Sequence, residues 1–313
     1  MKESRIALGT WSWGAGAVGG DQVFGNHTDV ESLKPVFEAG MKNCLNVWDT
    51  AFVYGMGASE DILGTFAGTV NREDIVLSDK FTPQVAEMFG NSVEQMCDAE
   101  MQKLGVDYID IYWIHNPMDV ERWTPGLIPL LKSGKIKRVG VSNHNIAEIK
   151  RANEILGAEG FKVSAVQNHF SLLYRSSEKG GVLDYCKENG IDFWSYMVLE
   201  QGALSGKYNV ENPMPAKSAR GQKYNPVLDK LAALTNAMKA IGEKYGISCS
   251  QVALAWALTK GTNPIIGATK EQHVIEAAGA ADVRLTVEEV SRLEQLADAT
   301  GIDARGDWEH TME

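Results

Sequence analysis

Short apolar runs alternate with amphipathic stretches along the whole chain. The run from Cys44 to Trp48 has strand chemistry, ends in Asp49, and is followed by a loop carrying Tyr54 and Gly55. Similar β-forming runs occur at Arg5 to Thr10, Asp74 to Lys80, Tyr108 to His115, Ile136 to Val141, Val163 to Gln167, Asp192 to Tyr196 and Pro264 to Gly267. Helical signals lie between them. Thr28 and Glu31 read as a capping box for a helix to Ala39, bent at Pro35 and stopped by Gly40. Ser59 reads as an N-cap with Glu60 and Asp61 in the first turn. Ser92 and Gln95 open a helix to Leu104, and Asn145 and Glu148 open one to about Leu156. Leu127 to Ser133, Gly181 to Glu188, Ser250 to Lys260, Glu271 to Ala280 and Thr286 to Ala299 are further helices. Val227 to Tyr245 places Leu228, Leu231, Leu234, Met238 and Ile241 on one face. Residues 12–27 show no element, and 197–226 read as a long loop.

Eight strands in strict alternation with helices imply an α/β fold with a parallel sheet. Eight such units imply a closed (β/α)8 TIM barrel, with the active site at the C-terminal rim of the strands. No composition break divides the chain, so residues 1–313 are expected to form a single domain. No GxGxxG joins a strand to a helix, which leaves a Rossmann site unsupported.

Composition narrows the function. The chain has 313 residues, 44% of them hydrophobic, enough for a large core. A net charge of −11 argues against nucleic acid and anionic membrane as partners. Cys44, Cys97, Cys186 and Cys249 are scattered, suit reduced core positions and suggest no metal site. With no apolar signal core at the start, and Val252 to Leu258 as the longest apolar run, a cytoplasmic protein is expected.

The chemistry collects at the strand ends. They read Thr10, Asp49, Lys80, His115, Ser142-Asn143, Gln167-Asn168 and Tyr196. With Tyr54, one rim offers an acid, a phenol, an ammonium and an imidazole. Those groups suit proton transfer to or from a small molecule.

These residues carry a resemblance to the aldo-keto reductases over nearly the whole chain. The stretch Gly40 to Ala51, then Tyr54-Gly55, Ser59-Glu60 and Gly64, resembles the family pattern around its catalytic acid. Lys80 and His115 match its lysine and histidine. Gly134-Lys135-Ile136 to Gly140-Val141-Ser142-Asn143, and Leu199 to Lys207, resemble its GKI…GVSN strand and its pyrophosphate loop. The resemblance implies reduction of aldehydes or ketones by NADPH, returning NADP+. It implies Tyr54 as general acid, an Asp49–Lys80 ion pair beside it, and His115 orienting the carbonyl. A nearby ammonium favours the phenolate. The implied cofactor contacts are Thr10, Trp11, Ser142, Asn143, Gln167, Tyr196, Leu199, Gln201, Gly202, Leu204, Lys207, Arg220, Gly267, Thr269, Lys270 and His273. Asn143 and Gln167 suit the carboxamide, Tyr196 the nicotinamide face, and Lys270 the ribose phosphate. Trp11, Trp13, Phe52 and Trp123 would wall a pocket for a small carbonyl substrate.

The chain departs from the family pattern in several places. An N-terminal hairpin is short or absent. His273 and Ala277 stand at adenosine positions usually held by Gln or Arg and by Asn. Trp113 and Asn116 flank His115 in place of more usual neighbours. The tail after Thr300 is short, which argues against a long C-terminal substrate loop. Two other functions fit the fold: a regulatory subunit that binds the cofactor and turns over slowly, and a barrel enzyme acting on a phosphorylated sugar. Oligomeric state is not legible.

Overall fold

The structure, a computed structural model, describes residues 2–312. Eight parallel strands close into a barrel in sequence order. They are β1 (Ala7–Gly9), β2 (Val47–Asp49), β3 (Val76–Phe81), β4 (Ile109–Ile114), β5 (Ile136–Ser142), β6 (Val163–His169), β7 (Asp192–Tyr196) and β8 (Asn263–Gly267). Closure comes from β1 pairing with β8, where Ala7, Leu8 and Gly9 face Ile265, Ile266 and Gly267. No hairpin precedes β1 among the described residues. At that end of the barrel Arg138 pairs with Glu3 at 2.5 Å.

Alternation along each strand sorts side chains into two layers. The interior holds Ala7, Val47, Ile111, Trp113, Ala165, Trp194 and Ile265. The outward residues, among them Leu8, Trp48, Leu77, Tyr112, Val139 and Val166, pack with the surrounding helices into the larger core. Trp113 fills the interior only because its β5 neighbour is Gly140. A Cβ there would lie 2.0 Å from the indole.

The capping boxes read at Ser92 and Asn145 form as expected, and two more form at Ser248 and Thr286. The first long helix differs. Asp29, not Thr28, is its N-cap and exchanges hydrogen bonds with Ser32, and the helix Val30–Lys42 continues through Pro35 and Gly40. Gly40 is a contact point, not a stop: a Cβ would meet the Trp48 ring at 2.6 Å and Leu8 at 2.8 Å. Ser59 lies inside the helix Ala58–Ala67, whose N-cap is Gly57. Its hydroxyl is used instead on Thr10, 2.7 Å from Oγ1 and 2.8 Å from the carbonyl.

Five helices fall in segments for which the sequence predicts no helix: Gly20–Phe24, Pro83–Phe89, Val120–Trp123, Ser176–Lys179 and Ala219–Tyr224. Each is too short to show a period, and tertiary contact sets it. The helix foreseen from Val227 starts at Ala232, although Leu228 and Leu231 are still buried ahead of it. Cys44 is exposed in the turn before β2, while the other three cysteines are buried. Among the described residues no helix is long and apolar enough to cross a membrane.

Candidate active site

β2 ends in Asp49 and β3 carries Lys80, both facing the barrel interior near its mouth. Lys80 is fully buried. Its ammonium donates to Asp49 Oδ2 at 2.5 Å, to the Thr50 carbonyl at 2.7 Å and to the Tyr54 hydroxyl oxygen at 3.3 Å. Burial alone would lower the lysine, but Asp49 and then Tyr54 outweigh it and hold the ammonium above its usual range. Asp49 Oδ1 is held from two further strands. Ser78 Oγ donates to it at 2.7 Å and Gln167 Nε2 at 3.0 Å. Trp113 Nε1 donates in turn to Ser78 Oγ at 2.7 Å.

Burial pushes the Tyr54 phenol above its usual value. Lys80 pulls the other way and does not win, so Tyr54 stays protonated even beside an ammonium. His115 follows β4, with its ring 6.1 Å from that of Tyr54. Burial, then the Lys80 charge, pushes the imidazole down to about 3, so it is neutral at physiological pH. Its Nδ1 meets Thr82 Oγ1 at 2.9 Å, leaving Nε2 as the ring's second polar atom. Trp11 stacks on Tyr54 at 5.9 Å and 26°.

Donors suited to an anionic ligand follow β5, β7 and β8 at the same rim. Asn143 adopts a left-handed backbone (φ 63°), which Asn tolerates. Its Nδ2 donates to the His115 carbonyl at 2.9 Å. After β7, Glu200, Gln201 and Gly202 form a run of positive φ at 47°, 53° and 103°. Such turns can aim successive amides at one anion. Arg220 Nη1 donates to the Gln201 carbonyl at 3.2 Å, while its buried Nε has no protein partner. After β8, Lys270 is the exposed N-cap residue of the helix Glu271–Ala280, and its side chain makes no cap hydrogen bond. The Thr269 amide donates to His273 Nδ1 at 3.4 Å. Burial lowers the His273 imidazole; Glu276 opposes, Lys270 and Lys207 add to the lowering, and the net shift is downward. Ala277 is buried and offers nothing to an adenine.

Other residues expected at the site are buried in the core or already committed to protein partners, in whole or in part. Trp13 is fully buried, donates to the Ala268 carbonyl at 2.7 Å and packs on Trp48 and Phe66. Trp123 is buried against Phe81 and borders a surface cleft with Glu87, Gln95 and Arg122. Thr10 and Leu204 are fully buried, the first committed to Asp49 and Ser59, the second to the core. Ser142 is buried, and its hydroxyl donates to the Gln167 carbonyl. Gln167 gives its amide nitrogen to Asp49, leaving its carbonyl oxygen for a ligand. Phe52 is half-buried beside the catalytic loop.

The tail after Thr300, short as it is, reaches the site. Trp308 meets Trp11 edge to face at 5.9 Å, and Glu309 accepts from the Tyr196 hydroxyl at 2.6 Å. Lys223 holds the tail by donating to the Ala304 carbonyl at 2.6 Å, and Ser176 Oγ accepts from the Met312 amide at 2.9 Å. His169 and Glu200, near the ends of β6 and β7, complete this group. Sequence reasoning missed this group, because nothing local joins His169 to a tail 140 residues away.

Residues 5–298 match the model of the Aldo/keto reductase family. A chloroplastic pyridoxal reductase of Arabidopsis thaliana is 30% identical over 313 residues, covering 95% of this chain and 84% of its own. An NADP(+) aldo-keto reductase of Schizosaccharomyces pombe is 29% identical over 306 residues, covering 91% and 88%. The solved aldo-keto reductase of Klebsiella pneumoniae in complex with NADPH shares the fold, with a TM-score of 0.74 at 24% identity, covering 94% of this chain and 91% of its own. So does the glycerol dehydrogenase of Gluconobacter oxydans, at 0.76 and 24%, with the same coverage. A closed barrel, an acid, a phenol, an ammonium and an imidazole at one mouth, and a match spanning the strands agree, and the chain belongs to the aldo/keto reductase family.

Proposed function

We propose that this chain reduces aldehydes or ketones to alcohols with NADPH, Tyr54 serving as the proton donor. The carrying observation is the buried ammonium of Lys80, whose three hydrogens go to Asp49, Thr50 and Tyr54. The rim fits the cofactor: Arg220 has a buried, unpartnered Nε, the loop at Glu200 to Gly202 presents amides, and Lys270 stands free at a helix start. Asn143 and Gln167 would hold the carboxamide, Tyr196 the ring face, and Arg220 and Lys270 the phosphates. Bound nicotinamide supplies the hydride; the protein supplies position and the proton.

The division of labour at the mouth follows from protonation. His115 is neutral and cannot be the acid near pH 7. If Thr82 donates to its Nδ1, Nε2–H faces outward to hold a carbonyl oxygen. Tyr54 keeps its proton until negative charge develops on that oxygen. Lys80 then stabilises the phenolate that remains, and Asp49 keeps Lys80 charged and in place. The aromatic walls of Trp11 and Trp308 suit flat carbonyl substrates. Benzaldehydes and pyridoxal, the latter prompted by the name of the Arabidopsis relative, are the first to try.

Tyr54→Phe removes the proton donor with little change in volume. Reduction should fall about 10²–10⁴-fold, while NADPH binding measured by calorimetry persists. Near-normal turnover would refute the assignment. The same assay on the parent separates an enzyme from a cofactor-binding regulatory subunit, which would bind NADPH without steady oxidation.

A further inference from the structure

The Tyr196 hydroxyl has one proton and two acceptors. Asn143 Oδ1 and Glu309 Oε1 each lie 2.6 Å from it. The Asn143 amide cannot turn to resolve the conflict, because its Nδ2 already donates to the His115 carbonyl and reaches Ser142 Oγ at 3.2 Å. Trp308 Nε1 points at the same phenolic oxygen from 3.4 Å. The proton therefore goes to one acceptor or the other, and the two are unequal.

Glu309 is built as the stronger one. Its side chain is 1% exposed, and it is matched to an imidazole with both nitrogens engaged. His169 Nδ1 lies 3.0 Å from each Glu309 oxygen, and Nε2 lies 2.8 Å from Glu200 Oε1. An imidazole facing carboxylates on both sides donates from both only as a cation. Burial opposes that charge, but Glu200 and Glu309 raise the ring to about 9. Tyr174 stacks on one side of His169 at 4.4 Å, and Tyr196 stacks on it at 5.5 Å. The Gly306 amide donates to Glu309 Oε2 at 3.0 Å. An ionised, fixed carboxylate outcompetes a neutral amide oxygen for a hydroxyl proton.

We propose that Glu309 is a positioning residue for cofactor binding: it draws the Tyr196 proton away from Asn143 and so leaves Asn143 Oδ1 free to accept from a nicotinamide carboxamide. This rests on the reading that Asn143 and Tyr196 hold the nicotinamide. Without Glu309 the hydroxyl donates to Asn143 and takes one of the two acceptor positions on that oxygen, leaving a weaker acceptor for the ligand. The tail thereby contributes to binding through another residue and without touching the cofactor itself.

A double-mutant cycle tests this, with NADPH dissociation constants from calorimetry as the readout and melting of the unliganded proteins as the check on folding. Glu309→Ala should weaken NADPH binding roughly 10-fold, the scale of one charge-assisted hydrogen bond. Glu309→Gln, which keeps the shape but is a weaker acceptor, should cost less. In the Tyr196→Phe background there is no proton to redirect, and neither Glu309 change should weaken binding further. Equal losses in both backgrounds would mean that the tail acts only as a wall or an anchor, and overturn the proposal. So would no loss in either. Should Glu309→Ala fail to fold, the Gln pair decides alone. A parent that does not bind NADPH at all would instead bring down the underlying functional reading.

Discussion

Each hydrogen of the Lys80 ammonium has a destination, so removing the ammonium has consequences in two places. Lys80→Met leaves Asp49 Oδ2 and the Thr50 carbonyl unpaired in a dry interior. Breaking a buried pair typically costs about 3–5 kcal/mol; Ser78 and Gln167 still hold the other Asp49 oxygen, which favours the lower end. Tyr54 also loses the charge that opposes burial, so its phenol should become a weaker acid still. Melting temperature and turnover should both drop, and a variant with normal melting would show a solvated pair. Among single residues, the tetrad was readable because a lysine or histidine at the end of an apolar strand is hard to explain by packing. Its supports were not readable. Ser78 and Trp113 act through the inward register of β3 and β4, which no local pattern announces. Trp13 misled for the converse reason: an aromatic in a Gly-rich loop looks available, and only its 2.7 Å hydrogen bond to Ala268 reveals a core residue.

At the scale of elements, the proposed source of the cofactor preference is the start of the helix Glu271–Ala280. Its first amides and Lys270 lie at the same helix start, where the phosphate that distinguishes NADPH from NADH would gain most. Lys270→Ala should weaken NADPH binding and leave NADH nearly unaffected; equal losses would place the phosphate elsewhere. Because burial holds His273 below the ordinary imidazole range, its neutral form persists further into acid. The tightening of NADPH binding on acidification should accordingly begin below that range, and should shrink in His273→Ala. Titration of both cofactors against pH checks both statements. Elements with a cap and a period, such as Val93–Leu104 and Ile146–Gly157, were legible almost to the residue. Helices without a period were not. Gly20–Phe24 exists because it packs against Ala219–Tyr224 across the mouth, a contact between segments some 200 residues apart.

Across the whole molecule, the barrel wall carries a buried carboxyl layer that the catalytic chemistry does not use. Asp79 faces outward from β3 toward Glu60 and Glu100 on the adjoining helices, and all three are fully buried. Burial first, opposed by the Lys80 amide and charge, pushes Asp79 up to about 7. Burial and then Asp79 hold Glu60 and Glu100 well above the usual carboxyl range, against Lys103 for the first and the Tyr112 hydroxyl for the second. The native state thus keeps protons that the unfolded chain releases above about pH 4. That contribution is full below the unfolded value and is lost as pH rises through the folded one, so its slope is negative between them. Melting temperature should fall by several degrees from pH 5 to pH 8, and Asp79→Asn should flatten the curve. A flat parent profile would contradict the buried layer. The alternation that gives the barrel was legible from end to end, whereas this layer was not, because it depends on which strand face meets which helix.

The barrel is not equally thick all round. β4 and β5 share five register pairs, but β7 and β8 share only two, Trp194 with Asn263 and Ser195 with Pro264. A proline brings no amide hydrogen to that ladder. The rim residues sit on both sides of this joint: Tyr196 and the loop from Leu199 follow β7, and Gly267 to Lys270 follow β8. A dinucleotide laid across them, as proposed, would bridge the join with the fewest register pairs. Ligand release would then be coupled to the loosening of that joint, and hydrogen exchange of the β7 and β8 amides should slow when NADPH binds.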